Sequence, residues 1–172
     1  VSALQRAFRA ALFDRKAHNQ VLFDASATAD AVLLVAAVGV AGLVLAMIRT
    51  TSFSLGFLPA LLESVIGGLA QWLFLSLATW LAATKIFGGG ADPQTVMRLH
   101  GHTYLPLLLT GFGTVPAVIG VVWFLGALTV ATSVALNLAN REAGLSVLIG
   151  YAIILLVGLA FRMPFTAVQG FF

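Results

Sequence analysis

The chain has 172 residues, of which 60% are hydrophobic and 9% charged, and its mean hydropathy is +1.05. An average soluble domain is about 45–50% apolar and about 25% charged, and a chain of this size cannot hide the excess in one core, so a soluble enzyme, a nucleic-acid-binding domain and a disordered tail are excluded. Nine Lys/Arg against six Asp/Glu give a net charge of +3, too few titrating groups for the pI near 10.0 to imply a nucleic-acid partner, and zero cysteines remove disulfides, thiol catalysis, Cys-ligated metals and palmitoylation.

Residues 1–30 read as an arm. Leu4, Phe8, Ala11 and Leu12 recur at helical spacing, while Arg6, Arg9 and Arg15 lie mostly elsewhere on the wheel. That pattern predicts an amphipathic helix in the headgroup layer, because Phe8, Phe13, Leu22 and Phe23 need an apolar partner. A solvated helix packed on the bundle is the plainer alternative. With about 30 residues before the first apolar run, the basic N-terminus does not read as a secretory signal.

The first span is predicted over 31–48, ending at Arg49, with Gly39, Gly42 and Ala46 as a small-residue stripe for close helix contact. A polar turn over 50–57 follows. Pro59 suits the first turn of the second span, 58–84, which stops at Lys85. Gly88, Gly89 and Gly90 make the clearest loop, and Asp92-Pro93 reads as an N-cap and first helical residue. The third span, 93–112, is the least apolar, carrying Arg98, His100, His102 and Tyr104. Gly111, Gly113 and Pro116 turn the chain into the fourth span, 116–138. A polar link from Asn137 to Gly144 leads to the fifth, 145–162, which continues in an alternative reading past Arg162 and Pro164.

The fold expected is thus an all-α integral membrane protein, a five-helix transmembrane bundle (31–172) preceded by an amphipathic interfacial helix. Continuous rather than alternating apolar runs argue against a β-barrel. On the N-terminal side lie Arg6, Arg9, Arg15, Lys16, Lys85, Arg98 and Arg141, against Arg49 and Arg162 on the other. That bias predicts a cytoplasmic N-terminus. No internal repeat supports an inverted-repeat transporter.

Glu63 is the sole acid inside an apolar run, and an intramembrane ionisable group is a functional candidate by default. Pro59 puts it about one turn into its helix, near the positive end of the dipole. A capping-type carboxylate on a packing face with Gly67 and Gln71 therefore outweighs a proton or ion site. His100 and His102 invite a metal or pigment reading, but residues two apart on a helix do not face each other. Ligation of a chlorophyll-type magnesium or haem iron by one of them is subordinate to a hydrogen-bonding role. Pro106 cannot donate to the carbonyl of His102, which frees an acceptor. These polar groups are expected to turn inward toward Gln71 or Asn137, with Arg98 at the headgroups. In the fourth span Gly126, Thr129, Ser133 and Asn137 form a small and polar stripe. No serine–histidine–acid set, carboxylate pair or nucleotide motif is present, so no enzyme, cofactor or metal site is expected.

The order of these features resembles the Yip-one family, the Ypt/Rab-interacting membrane proteins. The likeness rests on the amphipathic arm, on Lys85-Ile-Phe-Gly-Gly-Gly90 closing the second span, and on His100-Gly-His-Thr-Tyr-Leu-Pro106 followed by Pro116. It covers about Phe8 to Gly158 and implies a five-helix bundle with no catalytic residues to carry over. Eukaryotic members are linked to Rab GTPases and early secretory traffic, usually through a longer N-terminal region. The arm here is short, which speaks against a Rab-type partner and for the short prokaryotic relatives, in a cytoplasmic membrane. The expected role is a scaffold or accessory subunit, with the bilayer and other integral membrane proteins as partners. The alternatives are a small-solute or ion permease lined by Glu63, Gln71, Arg98 and His102, and, below it, a pigment- or haem-ligating subunit.

Overall fold

A computed structural model describes residues 2–24, 26–50 and 56–161. Among these the chain is all helical: α1 (Ala3–Ala11), α2 (Arg15–Leu22), α3 (Ala27–Thr50), α4 (Phe57–Phe87), α5 (Pro93–Gly101), a 3-10 segment (Leu105–Phe112), α6 (Thr114–Leu136) and α7 (Asn140–Phe161). Four helices are long and apolar enough to cross a membrane: Ala27–Arg49, Phe57–Phe87, Thr114–Leu136 and Asn140–Leu159. Residues 51–55 of the turn expected over 50–57, and the extension past Arg162 and Pro164, lie outside the described residues.

Local signals set most boundaries. Asp92 caps α5 by accepting from the Thr95 amide, with Pro93 in the first turn. Gly88 ends α4 in the left-handed region at φ 71°, and the Gly89 amide returns to the Ala83 carbonyl. Asn137 does the same for α6 at φ 53°, with the Leu138 amide on the Ser133 carbonyl. The arm is two helices rather than one, because Phe13 sits at φ 64° and Asp14 recaps the chain by accepting from the Lys16 and Ala17 amides.

The third expected span differs. Instead of one helix over 93–112, α5 stops at Gly101 and the chain resumes at Leu105 in 3-10 geometry. The Thr103 amide and hydroxyl both bond the His100 carbonyl, closing a turn. Pro106, without an N–H, cannot restart the α-helical ladder on His102. The tighter 3-10 winding begins there, with the Leu107 amide on the Tyr104 carbonyl.

Both halves of this broken segment sit deep between α3 and α6, held by glycines. A Cβ on Gly101 would lie 2.4 Å from the Ala31 Cβ, on Gly111 2.6 Å from the Leu45 Cβ, and on Gly120 2.6 Å from the Pro106 carbonyl oxygen. The core around it joins Val35, Trp72, Leu75, Tyr104, Phe124, Leu128 and Val147, with Tyr104 edge-on to Phe124 at 4.9 Å. A second cluster nearer the arm joins Val21, Ala27, Val96, Leu99, Ala131 and Leu136. α4 and α7 meet at Gly150, whose added Cβ would lie 2.5 Å from the Thr79 hydroxyl and 2.8 Å from its amide nitrogen.

These contacts separate the glycines. Gly101→Ala and Gly150→Ala force backbone-level overlap and should each destabilise the bundle by about 1–3 kcal/mol. Gly68→Ala meets its first neighbour, a Val35 methyl, at 4.0 Å and should be neutral or gain up to about 1 kcal/mol from helix propensity. Thermal unfolding in detergent reads the difference; equal effects at all three positions would contradict this packing.

Candidate functional site

The polar residues gather in two places on opposite sides of the broken segment. The first lies under the arm. His100 is completely buried, its Nδ1 3.2 Å from the Ser76 hydroxyl on α4 and its Nε2 2.9 Å from the Thr132 hydroxyl on α6. Hydroxyls both donate and accept, so either tautomer satisfies this three-helix brace. His102 places Nδ1 2.9 Å from the Arg98 carbonyl. A carbonyl only accepts, so Nδ1 carries the proton and the buried Nε2 is left as an acceptor with no partner among the described residues. Arg98 donates to the Thr28 hydroxyl at 3.2 Å and to the Leu22 carbonyl at 3.1 Å, tying α5 to α3 and to the end of α2.

His18, on α2, is the third histidine of the chain and packs into the same region. It is fully buried and, among the described residues, neither ring nitrogen has a hydrogen-bond partner of good geometry. Burial, with the charge of His102 second, lowers its pKa to about 4. His100 turns inward and pairs with Ser76 and Thr132, not with Gln71 or Asn137. Asn137 is exposed and serves as the left-handed cap of α6. Arg98 is half-buried against the arm. Among the described residues no three His, Cys, Asp or Glu side chains are grouped to hold a metal ion.

The second place is a cleft of about 260 Å³ between α3, α4 and the 3-10 segment. Glu63, Ser64, Gln71, Tyr104 and Thr110 line it among glycines and alanines. Three sequence candidates, Glu63, Gln71 and Tyr104, therefore share one surface, whereas Arg98, His100 and His102 do not line it. Glu63 is exposed at its edge, Gln71 is buried, and the buried Tyr104 hydroxyl has no partner among the described residues. α3 and α4 cross closely at its base, where the Ser64 hydroxyl donates to the Gly39 carbonyl at 2.8 Å and a Cβ on Gly39 would lie 3.1 Å from the Ser64 carbonyl oxygen. One turn on, a Cβ at Gly42 would meet nothing within 4 Å among the described residues.

Sequence reasoning missed His18, Ser76, Thr132 and the tryptophans. Each of the three indoles donates to a carbonyl of another element: Trp72 to Met97 at 2.9 Å, Trp80 to Ala91 at 2.8 Å and Trp123 to Ala11 at 2.7 Å. A buried indole needs an acceptor, so Trp72 and Trp80 on one apolar helix carried a usable signal. Ser76 and Thr132 carried none, being single hydroxyls whose meeting depends on tertiary structure.

No protein-family model, curated protein or solved structure matches the chain.

The arm's attachment should respond to pH through His18. In the detached arm His18 would take up a proton near its ordinary value of 6.5, but in the docked arm only near 4. Docking is therefore fully favoured above pH 6.5 and weakens as pH falls through that window, by roughly 3 kcal/mol in all. Groups that feel or adjoin His18 are His100, His102, Asp14 and Arg15. Asp24, held down to about 2 by the Ser26 hydroxyl and by Arg6, responds only below its ordinary 3.8, so the two windows are distinct. Amide hydrogen exchange in α1 and α2 should rise between pH 6.5 and 4 in the wild type. It should stay flat there in His18→Gln; an unchanged rise in the variant would refute the assignment.

Proposed function

We propose that the protein is a non-enzymatic, multi-spanning membrane scaffold or accessory subunit that binds other membrane proteins through the α3–α4 groove. It would be a member of the Yip-one type, in the cytoplasmic membrane of a prokaryote. α5 and the 3-10 segment together supply a fifth crossing. At about 1.5 and 2.0 Å per residue they add to about 30 Å, the thickness of a hydrocarbon core. Along α4, the stretch from Glu63 to Lys85 is about 33 Å, long enough to cross a hydrocarbon core with a charge at each end. The seven-to-two bias of Lys/Arg supports a cytoplasmic arm.

The observation that carries the reading is the contrast between Gly39 and Gly42. Gly39 is small because the bundle's own crossing requires it, whereas the space at Gly42 is used by nothing among the described residues. Small residues that let another helix approach are how helices associate where water offers no driving force. Gly42→Leu should leave thermal stability within about 0.5 kcal/mol while abolishing co-purification of a defined membrane partner in mild detergent, read by native mass spectrometry. A Gly42→Leu protein that still carries its partner would sink the scaffold reading at this groove.

A permease is the second reading, favoured by the unpartnered Tyr104 hydroxyl in the cleft. It requires solute flux from liposomes containing the purified chain alone, lost in Tyr104→Phe. The crossing order is tested by impermeant labelling of single cysteines at Ser2 and Gly89 in intact cells. Both should be inaccessible from outside, and external labelling of either would reverse or break the topology.

A further inference from the structure

The α3–α4 cleft holds more polar capacity than the bundle itself uses. Ser64 and Thr110 are occupied, their hydroxyls donating to the Gly39 and Leu107 carbonyls. Gln71 and Tyr104 are not. They are 6% and 3% exposed and both line the cleft. Among the described residues the Tyr104 hydroxyl has no partner, and the Gln71 carboxamide makes no hydrogen bond. Glu63 is exposed at the edge, and the ion pairs among the described residues all lie in the arm.

The walls set the shape of the occupant. α3 presents Gly39, Gly42 and Ala46, and α4 presents Ala60, Ser64 and Gly68, over about two turns on each side. Small residues on both walls over that length admit the backbone of another helix. Inside a membrane, such close approach and interhelical hydrogen bonds are what drive helices together. The space of about 260 Å³ beneath takes side chains of that helix.

The chemistry differs between two depths. Gln71 lies about 12 Å beyond Glu63 along α4. At the edge, an unpaired carboxylate calls for a cation. Deeper in, Gln71 and the Tyr104 hydroxyl can each donate and accept. A carboxamide, with a carbonyl acceptor and two N–H donors, meets both at once. Left alone in hydrocarbon, such a group would be costly, so a helix that carries one gains most where it is matched.

We propose that the cleft receives one transmembrane helix of a partner protein that carries Lys or Arg opposite Glu63 and, about two turns deeper, Asn or Gln against Gln71 and Tyr104. The proposal rests on the scaffold reading of this groove and adds the pattern by which the partner is recognised.

The probe is a synthetic leucine–alanine transmembrane peptide with Lys near one end and Asn about two turns further in. Energy transfer from the labelled peptide to the labelled full chain would be measured in phosphatidylcholine liposomes. The wild type should bind this peptide about three- to tenfold more tightly than the same peptide with Leu in place of Asn. Gly42→Leu should bind neither. Tyr104→Phe with Gln71→Met should erase the preference for Asn, and Glu63→Gln only the preference for Lys. If a variant does not fold, the comparison of the two peptides on the wild type decides alone. Equal binding of both peptides, lost in Gly42→Leu, would overturn the recognition pattern and leave the scaffold reading intact. Binding that fails altogether, or survives Gly42→Leu, would also overturn the pattern, while co-purification of the native partner tests the scaffold reading separately. Transfer between two copies of the chain alone, abolished by Gly42→Leu, would give the cleft to a second copy. Solute flux lost in Tyr104→Phe, without peptide binding, would give it to a solute, and both results count against the proposal.

Discussion

The constraint on which this structure depends is the break at Gly101–Tyr104, an interruption of helical backbone in the middle of an apolar bundle. Backbone N–H and C=O groups left without partners in such surroundings cost several kcal/mol each in hydrocarbon. The chain answers locally first, with Thr103 doubling back onto the His100 carbonyl and His102 donating to the Arg98 carbonyl. It then answers from neighbouring elements. Trp72 of α4 takes the Met97 carbonyl, and His100 spends both ring nitrogens on hydroxyls from α4 and α6. The break is therefore a junction at which helices are fastened by directional bonds, where the rest of the interior relies on shape.

That junction explains the arm. Arg98 reaches out of α5 to the Leu22 carbonyl and to Thr28, so the end of α2 and the start of α3 are held by the same element that contains the break. Arg6 closes the other side through Asp24 and Asp30. The buried Val21 and Ala27 belong to one cluster with Val96, Leu99 and Ala131. The arm is thus part of the core, and its alanine face is the reason it lies close: Ala7, Ala10 and Ala11 present no side chain that would hold α1 away.

How much of this can be read from residues alone follows from which forces act locally. Four long apolar helices are legible because continuous hydrophobicity is a property of the segment itself, and the ends at Gly88 and Asp92–Pro93 because capping involves residues within one turn. The 93–112 stretch reads wrongly as one helix for a related reason. Pro106 announces a freed carbonyl, but hydropathy cannot tell a kinked helix from a change to 3-10 winding. That choice is made by Gly101 against Ala31 and Gly120 against the Pro106 carbonyl. Of the candidate residues, Glu63, Gln71 and Tyr104 can be named but not joined, because their common cleft is built by α3 and the 3-10 segment. The partners of His100 are invisible, since Ser76 and Thr132 lie 24 and 32 positions from it on other helices.

The polar groups fall into two populations, and the division bears on function. Ser76, His100, Thr132, Arg98 and the three indoles have their hydrogen bonds made within the chain, so they explain the fold and have little left for a ligand. Tyr104 and the space at Gly42 are different, as are His18 and the Nε2 of His102: among the described residues these polar atoms are buried without a partner and the space is unfilled, with Tyr104 and Gly42 on one cleft. An unsatisfied buried hydroxyl costs about 1–3 kcal/mol, and an unfilled groove forfeits the dispersion contacts its lining could make. The isolated bundle would lose nothing by a larger residue at 42 or phenylalanine at 104. Features that the isolated chain can do without are where an external occupant has the most to add; Tyr104 and Gly42 at the α3–α4 cleft are of that kind, and so, among the described residues, are the unpartnered nitrogens of His18 and His102 at the histidine-rich junction.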